Sequence, residues 1–150
     1  MTEIFVDGDA CPVKDEVMRV AERYGLTVNL VSNRWLRVPE HPLLKRIVVA
    51  DGMDKADDWI AEQCGVGDIV ITTDIPLASR CVARQARVLT PTGKPFTEAG
   101  IGMAVAMRDL MTHLRDTGEV KSYNAAFGPK DRSRFLSALD ALIQAIKRGR

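Results

Sequence analysis

Acidic side chains follow an apolar run at the start of the chain. Residues 4–6 are Ile, Phe and Val, and Asp7 and Asp9 come directly after them with one glycine between. In an open parallel sheet ligands bind at the carboxyl ends of the strands, so this spacing predicts two carboxylates at that edge. Two carboxylates about 4 Å apart repel by about 4 kcal/mol, and either a raised pKa of one carboxyl or a divalent cation with oxygen ligands relieves that repulsion. The alternative is a turn followed by a helix cap, where Asp and Gly are also common.

More acids follow two later apolar runs. The run 68–71 leads into Thr72, Thr73 and Asp74, so it repeats the first arrangement with two hydroxyls added. The run 46–50 is followed by three acids at positions that share one helical face: Asp54, Asp57 and Asp58. Their alternative role is electrostatic, because acids in a first helical turn interact favourably with the macrodipole and cap free amides.

Strand and helix patterns alternate along the chain, and this alternation sets where the acids lie. Apolar runs predict strands at 4–6, 27–31, 46–50, 69–72 and 88–89. Helical periodicity and end signals predict helices at 12–24, 54–64, 76–86, 97–114 and 131–147. The pattern predicts an α/β fold with a mostly parallel central sheet of about five strands, covered by helices on both faces. A length of 150 residues suits one compact domain, 1–150.

Composition argues against several classes of protein. The three cysteines are odd in number and form no C-x-x-C pair, which favours a reducing cytoplasm over a disulfide scaffold. The two histidines lie far apart, so the parts of a histidine zinc site or a Ser-His-Asp triad are missing. No apolar run approaches the ~20 residues that span a bilayer, so no membrane partner is expected.

Basic residues follow the Asp74 strand although the formal net charge of the chain is only +1. The segment 75–97 carries four basic residues and no acid. Three of them, Arg80, Arg84 and Lys94, are predicted to contact a phosphate-bearing substrate, since cations offset the repulsion between phosphate and the acids. The alternative is a solvated surface. Lys94 lies in a turn that lacks the full Walker pattern, so a P-loop nucleotide site is not supported.

Several motifs resemble one family. The segments 4–14 (IFVDGDACPVK), 68–78 (DIVITTDIPLA), 93–96 (GKPF) and 131–135 (DRSRF) are similar to the YaiI/YqxD family of uncharacterised bacterial proteins. That family is grouped with the PIN-like nuclease folds, so the resemblance implies a PIN-like domain with an acidic centre for Mg²⁺ or Mn²⁺. The positions that match the acids of PIN-like nucleases are Asp7, Asp57 and Asp74, and the further candidate metal ligands are Asp9, Asp54 and Asp58.

These residues together favour a divalent-metal-dependent nuclease acting on phosphodiester bonds. RNA or another nucleic acid is the expected partner, and the preference for RNA comes from the resemblance. Thr72 or Thr73 is expected to hold a water or a phosphate oxygen, while the cations grip the backbone. We expect Asp7, Asp57 and Asp74 to converge, because they follow or flank elements whose ends lie at the same edge of a parallel sheet.

Two alternatives remain open at this point. In a phosphatase of the haloacid-dehalogenase type, Asp7 is the nucleophile, Asp9 the acid/base, Thr72 a phosphate ligand and Lys94 a later cation. An acidic pair after a strand downstream of Lys94 is missing from that pattern. The other alternative is a non-catalytic nucleic-acid-binding or regulatory protein with a vestigial acidic site, whose composition is the same as that of a working enzyme.

Overall fold

The computed structural model describes residues 2–8, 11–35, 37–38, 40–49, 55–96 and 127–149. Within these ranges the strands are β1 (Glu3–Asp7), β2 (Thr27–Ser32), β3 (Leu44–Val48), β4 (Ile69–Ile71), β5 (Arg87–Leu89) and β6 (Pro95–Phe96). The helices are α1 (Lys14–Tyr24), α2 (Lys55–Gln63), α3 (Ile75–Ala83) and α4 (Pro129–Lys147). The predicted helix at 97–114 lies outside the described residues.

The strands form one sheet in the order β3-β2-β1-β4-β5-β6. Every pairing from β3 to β5 is parallel, and β6 is antiparallel to β5. The predicted α/β fold with a mostly parallel sheet is therefore confirmed, with six strands in the described part of the chain instead of about five. This architecture is consistent with the PIN-like fold that the family resemblance implies.

The strand order reverses between β1 and β4. From β1 the chain moves outward to β2 and β3, and it then returns to place β4 on the other side of β1. Open α/β sheets bind ligands in the crevice at the carboxyl ends of strands where the order reverses in this way. The topology therefore marks the ends of β1 and β4, next to Asp7 and Thr72, as the place where a ligand site is expected.

Helices cover both faces of the sheet, as predicted. Alternate strand residues point to opposite faces, so Ile4 and Val6 of β1 pack with α1 and α4, while Phe5 packs with α2 and α3. This two-sided burial explains why the strands are continuous apolar runs without polar alternation. The same alternation directs Asp7 to the face of the sheet that α2 and α3 cover.

Several boundaries differ from the sequence prediction by one to three residues, and one short strand was not predicted. β3 begins at Leu44, two residues earlier than predicted, because parallel pairing with β2 continues through the charged residues of an edge strand. β6 was not predicted; it is short and contains a proline, which an edge strand tolerates. α4 begins at Pro129, because Gly128 N donates to Asp131 Oδ2 at 2.9 Å and so places Asp131 inside the first turn.

No helix in the described part of the chain is both long enough and apolar enough to cross a bilayer.

Candidate active site

A threonine connects the two predicted strand-end acids. Thr72 follows β4 and is only 2% exposed, and its backbone N–H donates to the Leu89 carbonyl of β5 at 3.2 Å. Its Oγ1 donates to Asp7 Oδ2 at 3.1 Å and accepts from the backbone N–H of Asp74 at 3.0 Å. One hydroxyl therefore joins the carboxylate at the end of β1 to the start of α3, at the point where the strand order reverses.

Asp74 caps the helix that follows β4. Its Oδ1 accepts from Leu77 N at 2.8 Å, and its backbone is extended, as expected for an N-cap residue. One carboxylate oxygen of Asp74 thus stabilises the start of α3, which favours a capping role alongside the predicted metal role. The predicted role as a metal ligand stays a prediction.

Asp57 and Asp58 both lie in the first turn of α2. Asp58 Oδ1 accepts from Arg80 Nη1 of α3 at 2.8 Å, and this hydrogen bond raises the pKa of the Arg80 guanidinium above its usual value. Asp57 is half-buried, and its negative charge also acts to raise the pKa of Arg80. A phosphate that binds Arg80, as the sequence predicted, would therefore compete with Asp58 for the guanidinium.

Arg84 and Lys94 have different surroundings. Arg84 donates through Nε to the Cys64 carbonyl at 2.7 Å and through Nη2 to the Glu62 carbonyl at 3.1 Å. These contacts satisfy carbonyls at the end of α2, so they favour a structural role for Arg84. Lys94 is exposed in the turn after β5, at the carboxyl edge of the sheet, and Thr73 is also exposed.

Cys11 and Lys14 lie between the end of β1 and the first turn of α1. Burial raises the pKa of the Cys11 thiol, so it stays protonated at neutral pH and is a poor nucleophile. Lys14 Nζ donates to the Cys11 carbonyl at 2.8 Å, which holds an ammonium group at the start of α1. Sequence reasoning missed Lys14, although its position at the start of the helix after an acidic strand end was a usable signal.

The donor set at this edge suits a hard cation. Carboxylate and hydroxyl oxygens are the ligands that Mg²⁺ and Mn²⁺ prefer, whereas histidine and thiolate are absent from the predicted set. No three His, Cys, Asp or Glu side chains within the described ranges are grouped so that they could hold a metal ion. Two of the predicted ligands, Asp9 and Asp54, lie outside those ranges.

Replacing Thr72 with Val is expected to lower the free energy of unfolding by about 1–3 kcal/mol, the cost of leaving buried polar groups unpaired. Valine keeps the shape of threonine but neither donates to Asp7 nor accepts from Asp74 N. Urea denaturation of wild type and Thr72→Val measures the loss. The exposed neighbour provides a matched control, because Thr73→Val should change the stability by no more than about 0.5 kcal/mol. Equal stability of both variants would mean that the Thr72 bridge contributes nothing.

The sequence also matches known proteins. The model of the family Uncharacterized BCR, YaiI/YqxD family, matches residues 5–145. The UPF0178 protein of Rhodopseudomonas palustris strain BisB5 is 60% identical over 149 residues, 99% of this chain and 91% of that protein. The UPF0178 protein of Nitrobacter winogradskyi is 59% identical over 145 residues, 97% of this chain and 92% of that protein. No solved structure gives a significant match. The chain belongs to the YaiI/YqxD family.

Proposed function

We propose that this protein is a divalent-metal-dependent nuclease that hydrolyses phosphodiester bonds, with RNA as its substrate class. The observation that carries the proposal is the hydrogen bond between Thr72 and Asp7, because it fixes a carboxylate where the strand order reverses. Metal-dependent nuclease chemistry uses acidic oxygen ligands, and the end of β1 supplies one whose orientation is fixed by Thr72. The choice of RNA rests on the resemblance to PIN-like nucleases alone.

The residues that we propose to hold Mg²⁺ or Mn²⁺ are Asp7, Asp57 and Asp74, with Asp9, Asp54 and Asp58 as further candidates. The first three do not form a metal-holding group by themselves in the described structure, so the cation would have to draw them together. When bound, such a cation polarises phosphoryl oxygens and lowers the pKa of a coordinated water. Asp58 is the weakest candidate, since its carboxylate is paired with Arg80 at 2.8 Å.

The chain's own side chains orient and attract the substrate. The Thr72 hydroxyl restricts the rotation of the Asp7 carboxylate, as partners of a ligating carboxylate do in metal sites. α3 begins at the same edge, so the positive end of its macrodipole favours a phosphate there. The Lys14 ammonium at the start of α1 adds positive charge that would offset part of the repulsion between phosphate and the acids.

We also propose that the protein acts in the bacterial cytoplasm. Cys11, Cys64 and Cys81 are all buried free thiols, which suits a reducing compartment.

A cleavage assay tests the proposed activity. Purified protein is incubated with an end-labelled single-stranded RNA and with DNA of the same sequence, in Mn²⁺, in Mg²⁺ and in EDTA. We expect cleavage of the RNA with either cation and none in EDTA. Intact RNA under every condition would contradict the proposal.

A non-catalytic nucleic-acid-binding protein is the second candidate. The observation that favours it is the use of Asp74 Oδ1 as a helix cap, since a capping carboxylate has a structural reason to be present without any metal. Binding of RNA without cleavage, together with a melting temperature that no divalent cation changes, would support this candidate over the nuclease.

A further inference from the structure

A second surface at the carboxyl edge has the chemistry of a phosphate-binding site. The turn from Thr90 to Lys94 connects β5 to β6 and packs against the first turns of α4. An open cleft lies between them, and its polar lining comes from Thr92 and Lys94 on the turn and from Ser133, Arg134 and Ser137 on α4. Three hydroxyls and two cations therefore line the cleft, and none of the described residues that line it carries a carboxylate.

The two cations of the cleft are available for a ligand. Lys94 is exposed and forms no ion pair with any described residue. Arg134 is 67% exposed, and its ion-pair partner, Asp131 Oδ1, lies 3.8 Å away. Such an exposed pair contributes little, and the other oxygen of Asp131 accepts from Gly128 N. Within the described part of the chain, neither side chain has to give up a strong partner to bind a phosphate.

The helix that carries Arg134 starts at the same edge as the candidate active site. Arg132 Nη1 donates to the Pro12 carbonyl at 2.9 Å and to Glu16 Oε1 at 2.7 Å, so the start of α4 lies beside the start of α1. The turn follows β5, which is two strands from β1 and thus about 10 Å away. Asp7 is directed to the face of the sheet that α2 and α3 cover, whereas α4 lies on the opposite face. A nucleic-acid strand that reaches both sites would therefore cross the carboxyl edge of the sheet.

Two of the three cations that the sequence suggested for substrate binding are occupied elsewhere, and the third is Lys94. Arg80 is paired with Asp58, and Arg84 binds two carbonyls at the end of α2.

We propose that the cleft between the Thr90–Lys94 turn and α4 binds the phosphodiester backbone of a nucleic-acid strand through Lys94, Arg134 and the neighbouring hydroxyls. The identity of the ligand as nucleic acid rests on the proposed nuclease function, whereas the preference for phosphate rests on the cleft itself. The described residues that line the cleft include no aromatic side chain, so contacts to the backbone and not base stacking are expected to provide the binding.

Binding is measured in EDTA, so that cleavage does not contribute. The probe is a fluorescein-labelled single-stranded RNA, followed by anisotropy over a range of salt concentrations, with wild type, Lys94→Gln, Arg134→Gln and the double variant. Each single substitution should weaken binding about three- to tenfold, which is the effect of losing one charge-assisted contact at an exposed site. The slope of log affinity against log salt should fall by about one for each contact removed.

Arg148→Gln is the matched control, because Arg148 is an exposed arginine at the opposite end of α4. It should bind the RNA with nearly the wild-type affinity.

Three results would overturn the proposed cleft: no binding of RNA by the wild type, wild-type affinity and salt slope in both cleft variants, or a loss of affinity in Arg148→Gln as large as that in Arg134→Gln. If the cleft variants lose binding but the wild type shows no metal-dependent cleavage, the binding cleft is supported and the nuclease function is contradicted. If the wild type cleaves RNA but the cleft variants bind it as well as the wild type does, the nuclease function is supported and the binding cleft is contradicted.

Discussion

Replacement of Asp7 with Asn is expected to lower the rate of Mn²⁺-dependent RNA cleavage by at least about 100-fold. Changing a residue that only orients a metal ligand already costs about 10- to 100-fold, and loss of the ligand's charge should cost more. Asn keeps an oxygen that can accept the Thr72 hydroxyl, so the fold and the melting temperature in EDTA should be retained. Initial cleavage rates with end-labelled RNA measure the effect.

Asp15→Asn is the control for that experiment. Asp15 is an exposed acid in the first turn of α1, so its substitution removes the same charge outside the candidate site. Its cleavage rate should stay within about twofold of the wild type, in line with the small effects of surface substitutions. Equal rates for wild type and Asp7→Asn would show that Asp7 has no part in the chemistry.

Replacement of Gly93 with Ala is expected to destabilise the protein by about 2–5 kcal/mol. Gly93 has φ +87°, a left-handed conformation that costs a residue with a side chain about 1–2 kcal/mol. A Cβ at this position would also lie 2.8 Å from the carbonyl oxygen of Arg134, and relief of such an overlap costs about 1–3 kcal/mol more. Urea denaturation of both proteins measures the difference in the free energy of unfolding.

Gly25 offers a control that separates the two costs. Its φ is +68° at the end of α1, but a Cβ there would meet no atom within 4 Å. Gly25→Ala should therefore cost only the conformational part, about 1–2 kcal/mol. If Gly93→Ala costs no more than Gly25→Ala, the turn does not dock tightly on α4, and the geometry of the cleft is wrong.

The sequence predicted the elements of this fold because they leave local signals. β1 and β4 are apolar runs that end at polar residues, and α1 has a buried stripe followed by a glycine that ends it. These patterns depend on residues close together in the chain, which is why the alternation of strands and helices was readable. The short strand β6 lacked such a pattern, since two residues cannot show a period.

The long-range contacts of the site left no such signal. Asp7 and Thr72 are 65 residues apart, and Glu16 and Arg132 are 116 residues apart. Their meeting depends on the strand order and on how α4 packs beside α1, and neither is encoded in a local pattern. The same is true of Arg84, whose basic side chain suggested a phosphate contact but binds carbonyls of α2 in the folded chain.

The most direct test of the metal-dependent site is a calorimetric titration of Mn²⁺ into the wild type and Asp7→Asn. If the end of β1 supplies an essential ligand, the wild type should bind Mn²⁺ with measurable heat and Asp7→Asn should lose that binding or weaken it at least about 10-fold. Absence of Mn²⁺ binding by the wild type, or equal binding by both proteins, would contradict the metal-dependent site.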